Sequence, residues 1–123
     1  MRKWVALLLG TTALSGLLGS APASAQPQQT AVTTRVTVLA ARPSEFKFKL
    51  SRGTVRKGVV LFKVVNRGAL PHDFKIAGKK TRLLSPGKSQ TLRVVFRKAK
   101  RYAYLCTVTG HAAAGMKGTL RVR

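Results

Sequence analysis

The chain has 123 residues and a formal net charge of +22, because 24 Lys and Arg residues face only two acidic residues, Glu45 and Asp73. Two-carboxylate glycosidases, two-metal nucleases and calcium loops each need several acidic side chains in one site, so this composition argues against all three classes. The sequence contains no G-x-S-x-G motif, so nothing of that kind indicates a serine hydrolase. Hydrophobic residues make up 45% of the chain, which is enough for the core of one globular domain.

The N-terminal segment has the features of an export signal. Arg2 and Lys3 precede a mostly apolar run over residues 4–19, and Ala-Ser-Ala at residues 23–25 fits a signal-peptidase cleavage site. The apolar run is shorter than the roughly 20 residues that cross a bilayer. We therefore predict a cleaved signal peptide over residues 1–25 and an extracytoplasmic location, periplasmic or secreted to the cell envelope, with a retained anchor as the alternative.

Residues 26–34 are polar and without periodicity, and we interpret them as a flexible lead-in. From residue 35 onward, apolar residues alternate with polar ones in short runs separated by Gly, Pro, Ser and basic residues, a pattern typical of β-strands. The adjacent residues Leu83 and Leu84 precede a Ser-Pro-Gly-Lys turn at residues 85–88. The alternating apolar positions, in chain order, are Val36 and Val38; Phe46, Phe48 and Leu50; Val60, Phe62 and Val64; Phe74 and Ile76; Leu92, Val94 and Phe96; Tyr102, Tyr104 and Cys106; Leu120 and Val122.

No part of residues 35–123 shows an apolar stripe at helical spacing. About seven short strands in fewer than a hundred residues predict an all-β sandwich formed by a single domain. Many of the Lys and Arg residues then lie on outward sheet faces. Tyr102 and Tyr104 are predicted to pack in the core rather than to relay electrons.

The residue types that carry chemistry are concentrated near the C-terminus. The single cysteine, Cys106, is followed by His111 and Met116, and His72 lies 34 positions before Cys106. A lone exposed thiol would oxidise in an extracytoplasmic compartment, so Cys106 is expected to be buried or bound to a metal. Two imidazoles, a thiolate and a thioether form a soft nitrogen and sulfur donor set.

This donor set favours copper. Two His and one Cys in a trigonal arrangement with a weak axial Met is the pattern of blue-copper sites. Zinc also binds His and Cys but seldom binds a thioether, and iron–sulfur clusters need more thiolates than one. Copper alternates between Cu(I) and Cu(II), and a rigid sandwich that holds one compromise geometry keeps the accompanying reorganisation small.

The sequence resembles the cupredoxins of the plastocyanin/azurin superfamily over residues 35–123. Three segments carry the resemblance: Val60-x-Phe62-x-Val64-x-Asn66, Pro71-His72-Asp73-Phe74, and Tyr102-x-Tyr104-x-Cys106-x4-His111-x4-Met116. The resemblance implies a Greek-key sandwich of seven or eight strands that binds one type 1 copper ion. It implies His72, Cys106 and His111 as equatorial ligands, Met116 as the axial ligand, and a role as a carrier rather than an enzyme.

Asp73 departs from the family pattern, because many members carry Asn at this position. We expect the Asp73 carboxylate to accept a hydrogen bond from Thr107 or its backbone and so to brace the ligand loop. The spacing of the ligand loop also differs from plastocyanin and azurin. Gly110 and Gly115 are expected to serve turns in this loop.

Small uncharged residues surround the second histidine in sequence. We expect them to form an apolar rim over the metal, through which the resemblance suggests that electrons pass; the alternative is that they only permit a tight loop. The rim consists of Leu70, Pro71, Ala112, Ala113, Ala114 and Gly115.

Removal of Arg2 and Lys3 with the signal leaves a net charge of 22 − 2 = +20. Such a field attracts anionic partners. We expect an acidic redox partner or an anionic envelope surface, since export and the lack of an RNA-binding motif argue against a physiological nucleic-acid partner. We expect a monomer without a transmembrane anchor after cleavage.

The sequence thus predicts an exported blue-copper protein that transfers one electron at a time. Two alternatives remain open: a copper chaperone or storage protein that delivers the ion itself, and a cationic envelope-binding protein whose copper is incidental.

Overall fold

The computed structural model describes residues 10, 13, 15–26 and 32–123. Much of the predicted signal peptide (residues 1–25) and residues 27–31 of the predicted lead-in (residues 26–34) lie outside this part, so both remain predictions, except that Thr33 and Thr34 belong to the first strand. Residues 15–26 are exposed and form neither helix nor strand. Among the described residues, no helix has the length and apolar character needed to cross a membrane.

In the described part of the chain, nine strands form a sandwich of two mixed sheets, which confirms the predicted all-β class. One sheet has the order β2-β1-β4-β7 and the other has the order β3-β9-β8-β5-β6. The strands are β1 (Thr33–Ala40), β2 (Phe48–Leu50), β3 (Thr54–Val55), β4 (Gly58–Asn66), β5 (Lys75–Ile76), β6 (Lys79–Lys80), β7 (Ser89–Phe96), β8 (Lys100–Leu105) and β9 (Lys117–Val122).

Alternation of side chains fixes the register of these strands. β4 pairs with β1 in parallel and with β7 antiparallel, so that Phe62 lies opposite both Val36 and Leu92. All three side chains are buried, whereas Thr91 and Arg93, which flank Leu92 along β7, are exposed. A shift of one residue would move every apolar side chain of a strand to the solvent face, so the alternating sequence strongly specifies this pairing.

The core between the sheets is aliphatic and aromatic. Phe62, Phe74 and Phe96 are among the largest fully buried side chains, and Phe62 contacts both of the other rings at centroid distances of 5.4 and 6.2 Å. Tyr102 packs against Phe96 at 4.7 Å and Tyr104 packs against Phe74 at 5.5 Å. The predicted core role of both tyrosines is confirmed.

The strand predicted to begin at Phe46 in fact begins at Phe48. Residues 41–47 form a compact loop instead, closed by hydrogen bonds from Ala41 N–H to the Lys47 carbonyl and from Lys47 N–H to the Ser44 carbonyl. Ala41 has φ of +64°, a left-handed conformation that interrupts an extended strand. Phe46 therefore lies in this loop and not in a strand.

Candidate metal centre

Three donor side chains that are far apart in the sequence converge at one end of the sandwich. The Nδ1 atoms of His72 and His111 are 3.1 Å apart, and Sγ of Cys106 lies 4.0 Å from the first and 3.6 Å from the second. The structure thus brings together the three predicted equatorial ligands, His72, Cys106 and His111, and no other group of this kind occurs among the described residues.

These separations fit a small metal ion. In a planar trigonal site with metal–nitrogen bonds of about 2.0 Å and a metal–sulfur bond of about 2.3 Å, the two nitrogens lie roughly 3.5 Å apart and each lies roughly 3.7 Å from the sulfur. The observed distances scatter around these values. The donor set, two imidazoles and one thiol, is the trigonal set of blue-copper sites.

Met116 completes the predicted set. Its side chain is fully buried, at 0% exposure, and it packs in one cluster with Cys106 and Ala40. Its backbone joins both neighbouring donors, because its carbonyl accepts a hydrogen bond from Cys106 N–H and its own N–H donates to the His111 carbonyl. His72, Cys106, His111 and Met116 are thereby positioned to bind one copper ion.

Cys106 directly follows the last residue of β8, and the next residue is braced by an acid. The backbone N–H of Thr107 donates a hydrogen bond to Oδ1 of Asp73 at 2.6 Å, and the Thr107 hydroxyl donates to Oδ2. The expected contact between Asp73 and Thr107 is confirmed. It ties the start of the ligand loop to the residue beside His72, so that two of the donor residues share one brace.

The loop between β8 and β9 is a series of tight turns. His111 N–H donates to the Val108 carbonyl and Ala114 N–H donates to the Gly110 carbonyl. Gly110 and Gly115 have φ of +83° and +111°, where glycine is favoured, so their expected role in turns is confirmed. Ala113 and Ala114 remain exposed at the turn.

The backbone of His72 is fixed by hydrogen bonds to another segment of the chain. Its backbone forms an isolated antiparallel bridge with Leu84 through two hydrogen bonds. Asn66, at the end of β4, is completely buried, and its amide nitrogen donates to the carbonyls of Leu70 and Leu84 at 2.8 Å each. The segment that carries His72 is therefore fixed to β4 by an Asn side chain.

The role of the loop over residues 41–47 was not apparent from the sequence. Within it, Oε1 of Glu45 lies 2.8 Å from Nε2 of His72, and the Phe46 ring packs edge-on against the His111 ring with centroids 5.0 Å apart. A Cβ placed on Gly115 would lie 2.7 Å from Nζ of Lys47. The consecutive residues Glu45, Phe46 and Lys47 thus lie against His72, His111 and Gly115. The rarity of acidic residues could have pointed to Glu45, because both acids of the chain contact this site.

Burial and hydrogen bonding set the protonation of the site. Burial raises the pKa of the Cys106 thiol, and burial also lowers the pKa of His111. The backbone N–H groups of Ala69 and Leu70, together with His72, lower the pKa of Glu45 to about 2. Without metal, the Cys106 thiol holds its proton at neutral pH, so binding of a metal by the thiolate must release that proton.

Comparison with known proteins places this site in a family context. Residues 65–123 match the family of copper binding proteins described as plastocyanin/azurin. The matched segment contains all four predicted donors and begins near the end of β4. No curated protein matches the chain.

Three solved structures illustrate the likeness of the fold. An auracyanin B structure is 23% identical, with a TM-score of 0.62, and the match covers 78% of this chain and 92% of that chain. Auracyanin A, a "blue" copper protein from the green thermophilic photosynthetic bacterium Chloroflexus aurantiacus, is 15% identical, with a TM-score of 0.61 and coverage of 75% and 100%. Rusticyanin from Thiobacillus ferrooxidans is 22% identical, with a TM-score of 0.62 and coverage of 74% and 77%.

Proposed function

We propose that this chain is a cupredoxin of the plastocyanin/azurin type and an exported blue-copper protein that carries single electrons between redox partners without acting as an enzyme. The family match over residues 65–123 and the likeness of the fold to auracyanin B support this proposal. The observation that carries the proposal is the convergence of His72, Cys106 and His111 within bonding reach of one ion. In this proposal those three residues are the equatorial ligands and Met116 is the axial ligand.

The chain's own residues keep the donor atoms in place. Asp73 fixes the residue after Cys106, and Asn66 fixes the segment that carries His72. Copper, when bound, supplies the one-electron Cu(II)/Cu(I) couple. Because the donors are braced from several sides and buried, little rearrangement of the protein has to accompany a change of one charge.

Exposure distinguishes the two histidines. His111 is 9% exposed, whereas His72 is 1% exposed and is covered by the loop over residues 41–47. Ala113, Ala114 and Leu70, the last at 41% exposure, lie at the surface near this end of the sandwich. These exposures support the proposal that electrons pass at the His111 side, where a partner meets small uncharged residues.

The charge supports an anionic partner, either an acidic redox protein or an anionic envelope surface. On β8 and β9, Arg101 lies directly opposite Arg121, and on β5 and β6, Lys75 lies directly opposite Lys80. Like charges in these positions destabilise a sheet, so a binding role gives a reason for their presence. We expect neutralisation of this face to weaken binding to acidic surfaces without changing the copper site.

Addition of Cu(II) to the purified protein tests the proposed function directly. We expect an intense thiolate-to-copper absorption band in the visible range, which Cys106→Ala abolishes because it removes the thiolate. Val108→Ala, a change at a half-buried residue without a donor atom, serves as the matched control and should keep the band. A wild-type protein that binds Cu(II) without this band would contradict the blue-copper assignment.

A second measurement separates the electron carrier from the copper chaperone. Cyclic reduction and oxidation should be reversible, with copper retained in both states in the presence of a competing Cu(I) chelator. Ready loss of Cu(I) to the chelator at each reduction would favour delivery of the ion instead.

A further inference from the structure

The carboxylate of Glu45 lies in a cluster of hydrogen-bond donors that includes a proposed copper ligand. Oε1 lies 2.8 Å from Nε2 of His72 and accepts the Leu70 N–H at 2.9 Å, and Oε2 accepts the Ala69 N–H at 3.1 Å. Within the described residues, Glu45 and His72 form the only pair of oppositely ionisable side chains within ion-pair distance. The chain has two acidic residues against 24 Lys and Arg residues, and one of the two acids contacts the ring nitrogen of His72 that points away from Cys106 and His111.

The packing around this carboxylate leaves no spare room. A Cβ on Gly68 would lie 2.5 Å from Oε1 of Glu45 and 2.6 Å from Cβ of Ala41. Glycine at position 68 thus permits the close approach of the carboxylate to the segment before His72. The Gly68 N–H is in turn held by Oδ1 of Asn66 at 2.8 Å, so the position of this glycine is fixed by a buried side chain.

We propose that Glu45 is a positioning residue of the copper centre, which fixes the His72 tautomer and stabilises Cu(II) relative to Cu(I). This inference rests on the proposed function. An ionised carboxylate only accepts hydrogen bonds, so Nε2 of His72 must carry the proton that it donates to Glu45. Nδ1 of His72 is then left with a free lone pair, and Nδ1 is the atom that faces Cys106 and His111.

The negative charge of Glu45 also stabilises Cu(II) relative to Cu(I). A carboxylate hydrogen-bonded to the outer nitrogen of a ligand imidazole makes that imidazole a stronger donor. A negative charge also interacts more favourably with Cu(II) than with Cu(I), since the two ions differ by one positive charge. Glu45 therefore lowers the reduction potential of the centre, in addition to orienting the His72 ring.

Two substitutions at this position separate the hydrogen bond from the charge. Glu45→Gln removes the charge and keeps the length of the side chain. Glu45→Asp keeps the charge but is one methylene too short to hold all three donors. Asp73→Asn is the control for the His72 ring signal alone, because it removes the other acid of the chain and Asp73 contacts Thr107 rather than the His72 ring.

The readouts are the nitrogen and proton NMR signals of His72 and the metal affinities. In the full chain, metal-free and loaded with Zn²⁺, we expect a slowly exchanging Nε2–H signal from His72 that Asp73→Asn retains and both Glu45 variants shift or lose. Removal of such an outer partner typically lowers metal affinity 10–100-fold. For Glu45→Gln we expect a loss of this size for Cu(II) and a smaller loss for Cu(I).

The difference between the two copper affinities appears as a higher reduction potential. A tenfold larger loss for Cu(II) than for Cu(I) corresponds to a rise of about 59 mV for a one-electron couple. An unchanged His72 Nε2–H signal and an unchanged potential in Glu45→Gln would overturn the proposal. A purely structural role for Glu45 predicts reduced stability with both of these signals unchanged.

Gly68→Ala displaces the carboxylate without changing its chemistry. We expect it to shift the His72 Nε2–H signal and to raise the potential in the same direction as Glu45→Gln. Gly53→Ala is the matched control, because a Cβ there would meet nothing within 4 Å. Failure of the electron-carrier function is distinguishable from failure of this inference, since the NMR signal and the Zn²⁺ affinity require no redox activity.

Discussion

At the scale of single residues, the cysteine, the two histidines and the two acids of the chain all lie at one end of the sandwich. The single cysteine and both histidines form the donor cluster, and each of the two acids is hydrogen-bonded to a residue of that cluster or beside it. Surface positions carry the basic residues. A rare residue type in a biased composition is therefore a strong indicator of a functional role, because surface solubility does not require it.

The exposed alanines next to His111 provide a residue-scale prediction. Ala113→Glu introduces a negative charge where we expect a partner to approach, and this charge would be buried when the partner binds. Electron exchange with that partner should therefore slow at least severalfold, while the copper spectrum is unchanged. A desolvated, unpaired charge at an interface is costly, which gives the physical reason. The measurement is the exchange rate with a redox partner of known potential, by stopped-flow absorbance.

Ala99→Glu is the control for that prediction. Ala99 is also exposed, but it lies just before the start of β8, at the opposite end of that strand from Cys106, and its substitution changes the net charge by the same amount. If both variants slow the exchange equally, the effect belongs to net charge and the rim of small residues is not the contact surface.

At the scale of elements, sequence alternation predicts the long strands well and the loops poorly. β4 and β7 follow from apolar residues at every second position, which the two-sided burial of a sandwich enforces. Phe46 follows the same alternation, yet it belongs to a loop, because the left-handed Ala41 and the turn at residues 44–47 override the local pattern. Periodicity carries no information about such a turn.

The grouping of His72, Cys106, His111 and Met116 at one place could be predicted because their residue types are chemically specific and the segments that carry them resemble a family pattern. The support around them could not be predicted in the same way. The contacts of Glu45 with His72 and of Asn66 with Leu84 join residues that are distant in sequence. Such contacts depend on how the loops fold over one another, and Glu and Asn are ordinary loop residues without a distinctive pattern.

Asn66 provides the element-scale prediction. Asn66→Ala removes three buried or part-buried hydrogen bonds, because it takes the donor from the carbonyls of Leu70 and Leu84 and the acceptor from the Gly68 N–H. We expect the free energy of unfolding to fall by about 2–3 kcal/mol, because unpaired buried polar groups are costly. We also expect weaker copper binding, since the segment that carries His72 loses its attachment to β4.

Denaturant unfolding of the metal-free protein and a copper competition titration measure both effects. Gln90→Ala is the control, because Gln90 accepts a single exposed hydrogen bond from Arg82 N–H. We expect that variant to lose less than about 1 kcal/mol and to bind copper normally. Equal effects of the two substitutions would show that Asn66 does not specifically support the metal site.

At the scale of the whole molecule, the chain carries a net charge of +22, because 24 Lys and Arg residues stand against two acidic residues. Among the described residues, no Lys or Arg lies within ion-pair distance of a carboxylate. The outward face of the five-stranded sheet places Arg101 opposite Arg121 and Lys75 opposite Lys80. Self-repulsion of this kind destabilises the folded state and is screened by salt.

Charge reversal on this face measures that repulsion. Arg101→Glu converts a like-charged cross-strand pair with Arg121 into an oppositely charged pair, and such pairs contribute roughly 0.2–1 kcal/mol. Arg93→Glu, on β7 of the other sheet, makes the same change in net charge, but the residue directly opposite it on β4 is Leu61 rather than a charged residue. We expect Arg101→Glu to stabilise the protein more than Arg93→Glu does, as measured by denaturant unfolding at low ionic strength.

Salt should remove that difference. The Debye length falls from about 30 Å at 0.01 M to about 3 Å at 1 M ionic strength, so exposed pairs lose most of their interaction. The wild-type protein should therefore gain stability as salt is added, and the gap between the two variants should shrink. A gap that persists in high salt would mean that Arg101 acts through packing of its aliphatic stem, and the basic face would then not be a source of electrostatic strain that an anionic partner relieves.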